Sequence, residues 1–284
     1  MRRVIALALC PPALLLFGCD ISSTATADCW EAGTVLDVSG AAGAGANYAN
    51  PDLWAGCTDD SLIIEGNGIP TYSFVQMTPN PLTEQSYSFD LPRNPEVAAQ
   101  TTEMPLLGLA GVAVNGLVFF GPNEAGQPAS SAWGDPIYNG ITDGCFGHTA
   151  GEYHFHALSQ KCLTQDAVGE SEPWTLADPN PAEASPVIGW AMDGFPIYGP
   201  YGCLDSDCTE VAEMKSGFDQ IADPTQDAWD AYAWSEKSDP TFLDACNGRV
   251  QPDGSYGYHA TEGFPYIIGC YVGTPVDTGL GAMP

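Results

Sequence analysis

Basic residues are scarce: 7 Lys and Arg stand against 36 Asp and Glu, a formal charge of −29 at neutral pH. So acidic a surface repels phosphate backbones and anionic headgroups, which excludes nucleic acid as a partner and electrostatic docking on a membrane. No Cys-x-x-Cys pair occurs among the ten cysteines, so dithiol redox chemistry and thiolate zinc sites are disfavoured. Neither a His-Glu-x-x-His run nor a Gly-x-Ser-x-Gly elbow is present, and no calcium loop of the Asp-x-Asp-x-Asp-Gly kind. The acidic groups at Asp205, Asp207, Asp223, Asp227 and Asp230 read as solvated surface. Long apolar runs are missing too. Beyond position 19 no stretch of about eighteen apolar residues exists, so that part is expected to be soluble. Histidine occurs four times in 284 residues, few enough for each position to carry information.

The start of the chain has its own signature. Arg2 and Arg3 precede an apolar run from Val4 to Phe17, too short to span a bilayer and of signal-peptide length. It ends in Leu16-Phe17-Gly18-Cys19, which resembles a bacterial lipobox, where the cysteine is acylated and becomes the new N-terminus. Residues 1–18 are therefore expected to be a signal and Cys19 a lipid anchor. More than one acyl chain is needed for lasting attachment. Loss of the signal leaves 5 basic residues against 36 acidic ones, or −31. The protein is then exported and membrane-tethered, facing the periplasm or the cell exterior.

Apart from Cys10 and Cys19, eight cysteines remain. An even count in an exported chain reads as disulfides, with 105 connectivities open. Local spacing favours Cys29–Cys57, Cys145–Cys162, Cys203–Cys208 and Cys246–Cys270.

Residues 19–56, with Gly40-Ala-Ala-Gly-Ala-Gly-Ala-Asn47 inside them, read as a flexible tether. Residues 57–275 read as the domain and 276–284 as a tail. Short apolar runs such as Val112–Phe120 and Val187–Met192 read as strands. One helix is expected, from Asp223 as N-cap through Pro224 to about Lys237. The fold class is mainly β with few short helices, a disulfide-stapled single domain.

Two segments of this domain repeat each other. Gly111-Val-Ala-Val-Asn-Gly-Leu-Val-Phe-Phe-Gly-Pro122 matches Gly189-Trp-Ala-Met-Asp-Gly-Phe-Pro-Ile-Tyr-Gly-Pro200. The Asn115-Gly116 and Asp193-Gly194 dipeptides signal type I′ hairpins. Downstream, Asp143-Gly-Cys-Phe-Gly-His148 with Tyr153-His-Phe-His156 corresponds to Asp244-Ala-Cys-Asn-Gly-Arg249 with Tyr256-Gly-Tyr-His259. Two duplicated halves, each containing a β-hairpin, are expected at about residues 105–163 and 187–273.

All four histidines fall in this second motif. On a strand, His154 and His156 leave one face while Tyr153 and Phe155 leave the other. His148, after Gly147, can complete a metal site with them, and His259 holds the place of His156 in the second half. With the cysteines paired, imidazole and carboxylate are the donors left, which suits copper or zinc, and the Irving–Williams order tilts toward copper. Asp143, Asp244, Asp193 and Tyr153 are candidates to orient those imidazoles. For Asp143 and Asp244 a turn-forming role is equally open.

At these motifs, across residues 105–273, the chain resembles the YHYH domain family, named for a Tyr-His-Tyr-His sequence that stands here as Tyr153-His154-Phe155-His156. The second copy departs from it: Arg249 replaces the turn histidine and Gly257 the first strand histidine. The resemblance implies an exported domain suspected of binding metal and no established reaction. Three readings follow: a copper- or zinc-binding lipoprotein for sequestration, delivery or sensing; a surface metalloenzyme, hydrolytic or oxidative, with Glu152 or Asp193 as acid or base; and a structural or adhesive module.

Overall fold

A computed structural model describes residues 29–125, 133–157, 162 and 180–277. The expected signal, Cys19 and most of the acidic stretch after Gln165 lie outside the described residues. The described chain is mainly β, built of short strands and tied by four disulfides: Cys29–Cys57, Cys145–Cys162, Cys203–Cys208 and Cys246–Cys270.

Strands β1 (Leu53–Cys57), β2 (Ser61–Gly66) and β3 (Tyr87–Pro92) form an antiparallel sheet of their own. In β3, Tyr87, Phe89 and Leu91 are buried while Ser88 and Asp90 face water, the alternation of a half-covered sheet. After β4 (Thr102–Glu103) come β5 (Leu109–Ala113), β6 (Val118–Phe120), β7 (Gly147–Thr149), β8 (Tyr153–Phe155), β9 (Val187–Ala191) and β10 (Pro196–Tyr198). Then follow β11 (Tyr201–Cys203), β12 (Val211–Glu213), β13 (Phe218–Gln220), α1 (Ala228–Ala231), β14 (Tyr232–Trp234), β15 (Gly248–Val250), β16 (Tyr256–His259) and β17 (Cys270–Tyr271). Every residue of β5 and β6 is buried, which is why they read as unbroken apolar runs rather than alternating ones.

The main sheet has eight strands in the order β15-β16-β10-β9-β5-β6-β8-β7. From the β9–β5 seam outward, both wings use the same pairings in the same sequence. First comes an antiparallel hairpin, β5–β6 or β9–β10. A parallel contact follows, β6–β8 or β10–β16. An antiparallel edge closes each wing, β8–β7 or β16–β15.

Three expectations are corrected. The hairpins are not type I′, since only the glycines take positive φ, Gly116 at +81° and Gly194 at +86°. Gly116 N–H donates to Ala113 O, and Ala113 N–H to Leu117 O; Gly194, Ala191 and Phe195 repeat this. That is a three-residue connection ending in a left-handed glycine, which the same dipeptides also serve. Second, the helix expected from Asp223 to Lys237 shrinks to Ala228–Ala231, with Asp227 as its N-cap. Asp223 instead accepts from Thr225 in a turn. The chain then extends as β14 because Tyr232 stacks on Phe264, ring centroids 4.3 Å apart; tertiary packing of aromatics outweighs helix propensity. Third, from Cys29 on, the expected tether packs on the domain. Val38 and Ala44 are buried, Leu36 N–H donates to Val114 O, and the Trp30 ring lies 5.4 Å from Trp190.

Buried carboxylates fasten the frame. Asp193 accepts the Tyr258 hydroxyl at 2.6 Å and the Gly273 N–H at 2.9 Å. The same hydroxyl takes the Val272 N–H at 2.9 Å. Burial pushes the Asp193 carboxyl up from its ordinary range, opposed by these donors. Tyr258→Phe strips a donor from a buried acid and an acceptor from a buried amide, and is expected to cost about 1–3 kcal/mol. Urea unfolding of the oxidised protein checks this. A loss under about 0.5 kcal/mol, the size of an ordinary surface substitution, would show that the clamp is not needed.

Candidate metal centre

The site begins with a turn. The Asp143 carboxylate accepts the N–H groups of Cys145 and Gly147 through one oxygen and the Tyr153 hydroxyl, at 2.7 Å, through the other. Phe146 sits at φ +62°, and its carbonyl accepts the His156 N–H. The turn thereby delivers His148 on β7 opposite His154 on β8. Tyr153 and Phe155 point into the core, so His154 and His156 emerge together on the other face.

Four atoms converge there. His156 Nε2 lies 3.0 Å from His148 Nε2 and 3.1 Å from His154 Nε2. Glu124, on the chain just beyond β6, brings Oε2 to 2.7 Å from His148 Nε2, 3.2 Å from His156 Nε2 and 3.8 Å from His154 Nε2. The three imidazoles are at most 1% exposed, and Phe120 stacks on His154 with centroids 3.9 Å apart.

Hydrogen-bond partners assign the tautomers. A carbonyl only accepts, so His148 Nδ1–H donates to Ile141 O at 3.0 Å and His156 Nδ1–H donates to Gly121 O at 2.7 Å. Their Nε2 atoms are then bare in the neutral rings. Burial depresses the His154 pKa to about 3, so that ring is uncharged at neutral pH. His154 Nδ1 is buried without a partner. The Nε2 atoms of three imidazoles and a carboxylate oxygen thus converge in one space. Glu124, His148, His154 and His156 are a group able to hold a metal ion.

The other candidates lie elsewhere. His259 is not among these four residues: its Nδ1 bonds Gly199 O at 2.9 Å and its Nε2 lies 3.0 Å from the Gln251 side-chain nitrogen. Asp244 repeats the Asp143 turn, holding Cys246 N–H, Gly248 N–H and the Tyr256 hydroxyl. Asp143, Asp193, Asp244 and Tyr153 thus bond backbone and phenols rather than imidazoles. Glu152 stands outside the group.

Glu124 was not found from sequence, although a signal existed. Counting from the shared Gly-Pro, Glu124 corresponds to Gly202, His148 to Arg249 and His154 to Gly257. Only His156 has a like partner. Positions where the two copies disagree mark the site better than those where they agree.

The second wing has a pocket at the equivalent place, lined by Tyr198, Gly202, Gln251 and His259. Arg249 faces Gly257 across β15–β16, as His148 faces His154. A side chain on Gly257 would collide with the Tyr198 ring.

A family model described as YHYH protein matches residues 88–273. No curated protein and no solved structure matches.

Burial holds the His259 pKa to about 4, below the ordinary 6.5. The unfolded chain therefore binds the extra proton between those pH values, and stability should be whole above pH 6.5 and fall as pH drops toward 4. At about 1.4 kcal/mol per pKa unit the loss is roughly 3 kcal/mol. His259→Gln should flatten that part of the curve in urea unfolding at stepped pH. Parallel curves for variant and wild type would rule the assignment out.

Proposed function

This chain belongs to the YHYH protein family, and we propose that it is an extracytoplasmic lipoprotein holding one copper or zinc ion on His148, His154, His156 and Glu124. Sequestration, delivery or sensing of that ion at the cell surface is the task such a site suits. The observation that carries the reading is the convergence of three imidazole nitrogens and a carboxylate oxygen in one space, a group able to hold a metal ion.

The donor set fits such an ion. Imidazoles and a carboxylate suit borderline divalent metals. Bonds of about 2.0–2.1 Å in a tetrahedron give ligand edges of about 3.3–3.4 Å. The separations of 2.7 to 3.2 Å, with one of 3.8 Å, straddle that value. The Irving–Williams order tilts the choice between copper and zinc toward copper.

Elemental analysis decides. The chain from residue 20 on, purified from an oxidising compartment, should carry about one copper or zinc ion. A His154→Ala/His156→Ala variant should carry none and keep its far-UV circular dichroism. No metal in either protein would end the metal reading.

Four disulfides suit an oxidising compartment outside the cytoplasm. Among the described residues no helix is long and apolar enough to cross a membrane. Attachment then rests on Cys19. Cys19→Ser is expected to shift the protein from the membrane pellet to the soluble fraction after cell lysis; persistence in the pellet would refute the lipid anchor.

A further inference from the structure

The four proposed ligands are not equivalent. The side chains of His148, His154 and His156 are 1%, 0% and 0% exposed, whereas that of Glu124 is 23% exposed. His148 and His154 belong to paired strands. His156 is tied at both ends, its N–H to Phe146 O and its Nδ1 to Gly121 O. Phe120 closes the His154 side as a flat lid of carbon.

Glu124 is held differently. It lies beyond the end of β6, in no strand or helix. Its backbone N–H bonds Gly134 O at 2.9 Å, and Oε1 accepts the next residue's N–H at 2.9 Å. Its neighbour Asn123 is anchored to Leu106 O and to the Trp229 indole. The backbone is therefore fixed while the partly exposed carboxylate arm can rotate about its own bonds, and its second oxygen already bonds a backbone N–H that is no part of the metal group.

We infer, on the basis of the metal reading above, that Glu124 is the exchange point of the site, the ligand that yields when the ion is loaded or handed over. The step is a substitution. A donor atom of an incoming molecule bonds the ion, the bond from Glu124 Oε2 breaks, and the carboxylate swings out with its charge while three neutral imidazoles keep hold. No electron changes hands. Departure of the carboxylate raises the local charge by one, so the favoured incoming ligand is a small anionic oxygen or sulfur donor. Neutral donors leave that charge uncompensated in a pocket of low dielectric. His148, His154 and His156 keep the ion in place during exchange, and Glu124 governs how fast exchange begins.

Zinc transfer to EDTA, a carboxylate donor, tests this on the full chain. Wild type loaded with one zinc should release it at a rate that rises with EDTA concentration. Glu124→Gln and Glu124→Asp, one lacking the charge and the other the reach, should still load one zinc but release it at least tenfold faster. His156→Gln should fail to retain zinc through gel filtration. Circular dichroism confirms that each variant is folded. Equal release rates for wild type and both Glu124 variants, all loaded, would overturn this inference and leave the metal reading intact. A folded wild type that loads no zinc would overturn both.

Discussion

Three imidazole nitrogens and a carboxylate oxygen crowd into one space, and groups rich in lone pairs do not stay together unaided. In water each would find a donor; here the imidazoles are at most 1% exposed. Burial makes an unanswered polar atom expensive and an answered one strong. The scaffold must therefore hold the four in place whether or not a cation is there. It does so through atoms that are not themselves ligands: Ile141 O and Gly121 O on the rings, and Asp143 beneath the turn.

That demand explains the use of buried carboxylates in so acidic a chain. Most acids can stay in water, but Asp143, Asp193 and Asp244 are each met inside by a tyrosine hydroxyl and backbone N–H groups. A turn held by such a clamp is closer to rigid than one held by backbone bonds alone. Small changes there move a histidine, so the aromatic residues of the motif serve the site from its far side. The Cys145–Cys162 bridge adds a covalent fastening to the same turn, suited to a compartment where thiols are oxidised.

Much of this was legible in the sequence, and the failures have physical reasons. The mainly β class followed from short apolar runs, and the shared face of His154 and His156 from strand periodicity. Glu124 was hidden because 24 residues of chain separate it from His148; the parallel β6–β8 pairing closes that gap, and local pattern does not reveal a long-range pairing. The helix from Asp223 failed because Tyr232 gains more by stacking on Phe264 than by continuing a helix. Hairpin type was misread because asparagine-glycine serves more than one turn, and the pairing of Ala113 with Leu117 selected the other. The Gly/Ala-rich stretch seemed free because small residues give no apolar signal, yet Ala44 is buried.

The two wings of the main sheet share a hydrogen-bond plan but not a charge plan. Where one presents His148 opposite His154, the other sets the guanidinium of Arg249 opposite Gly257, donating to Cys203 O and Met214 Sδ. One wing carries its positive charge covalently and for life; the other offers a group able to hold a metal ion. On the metal reading proposed above, the molecule contains its own reference electrode, so to speak: a change in salt, temperature or acidity acts on both wings, and a change in available cation acts on one.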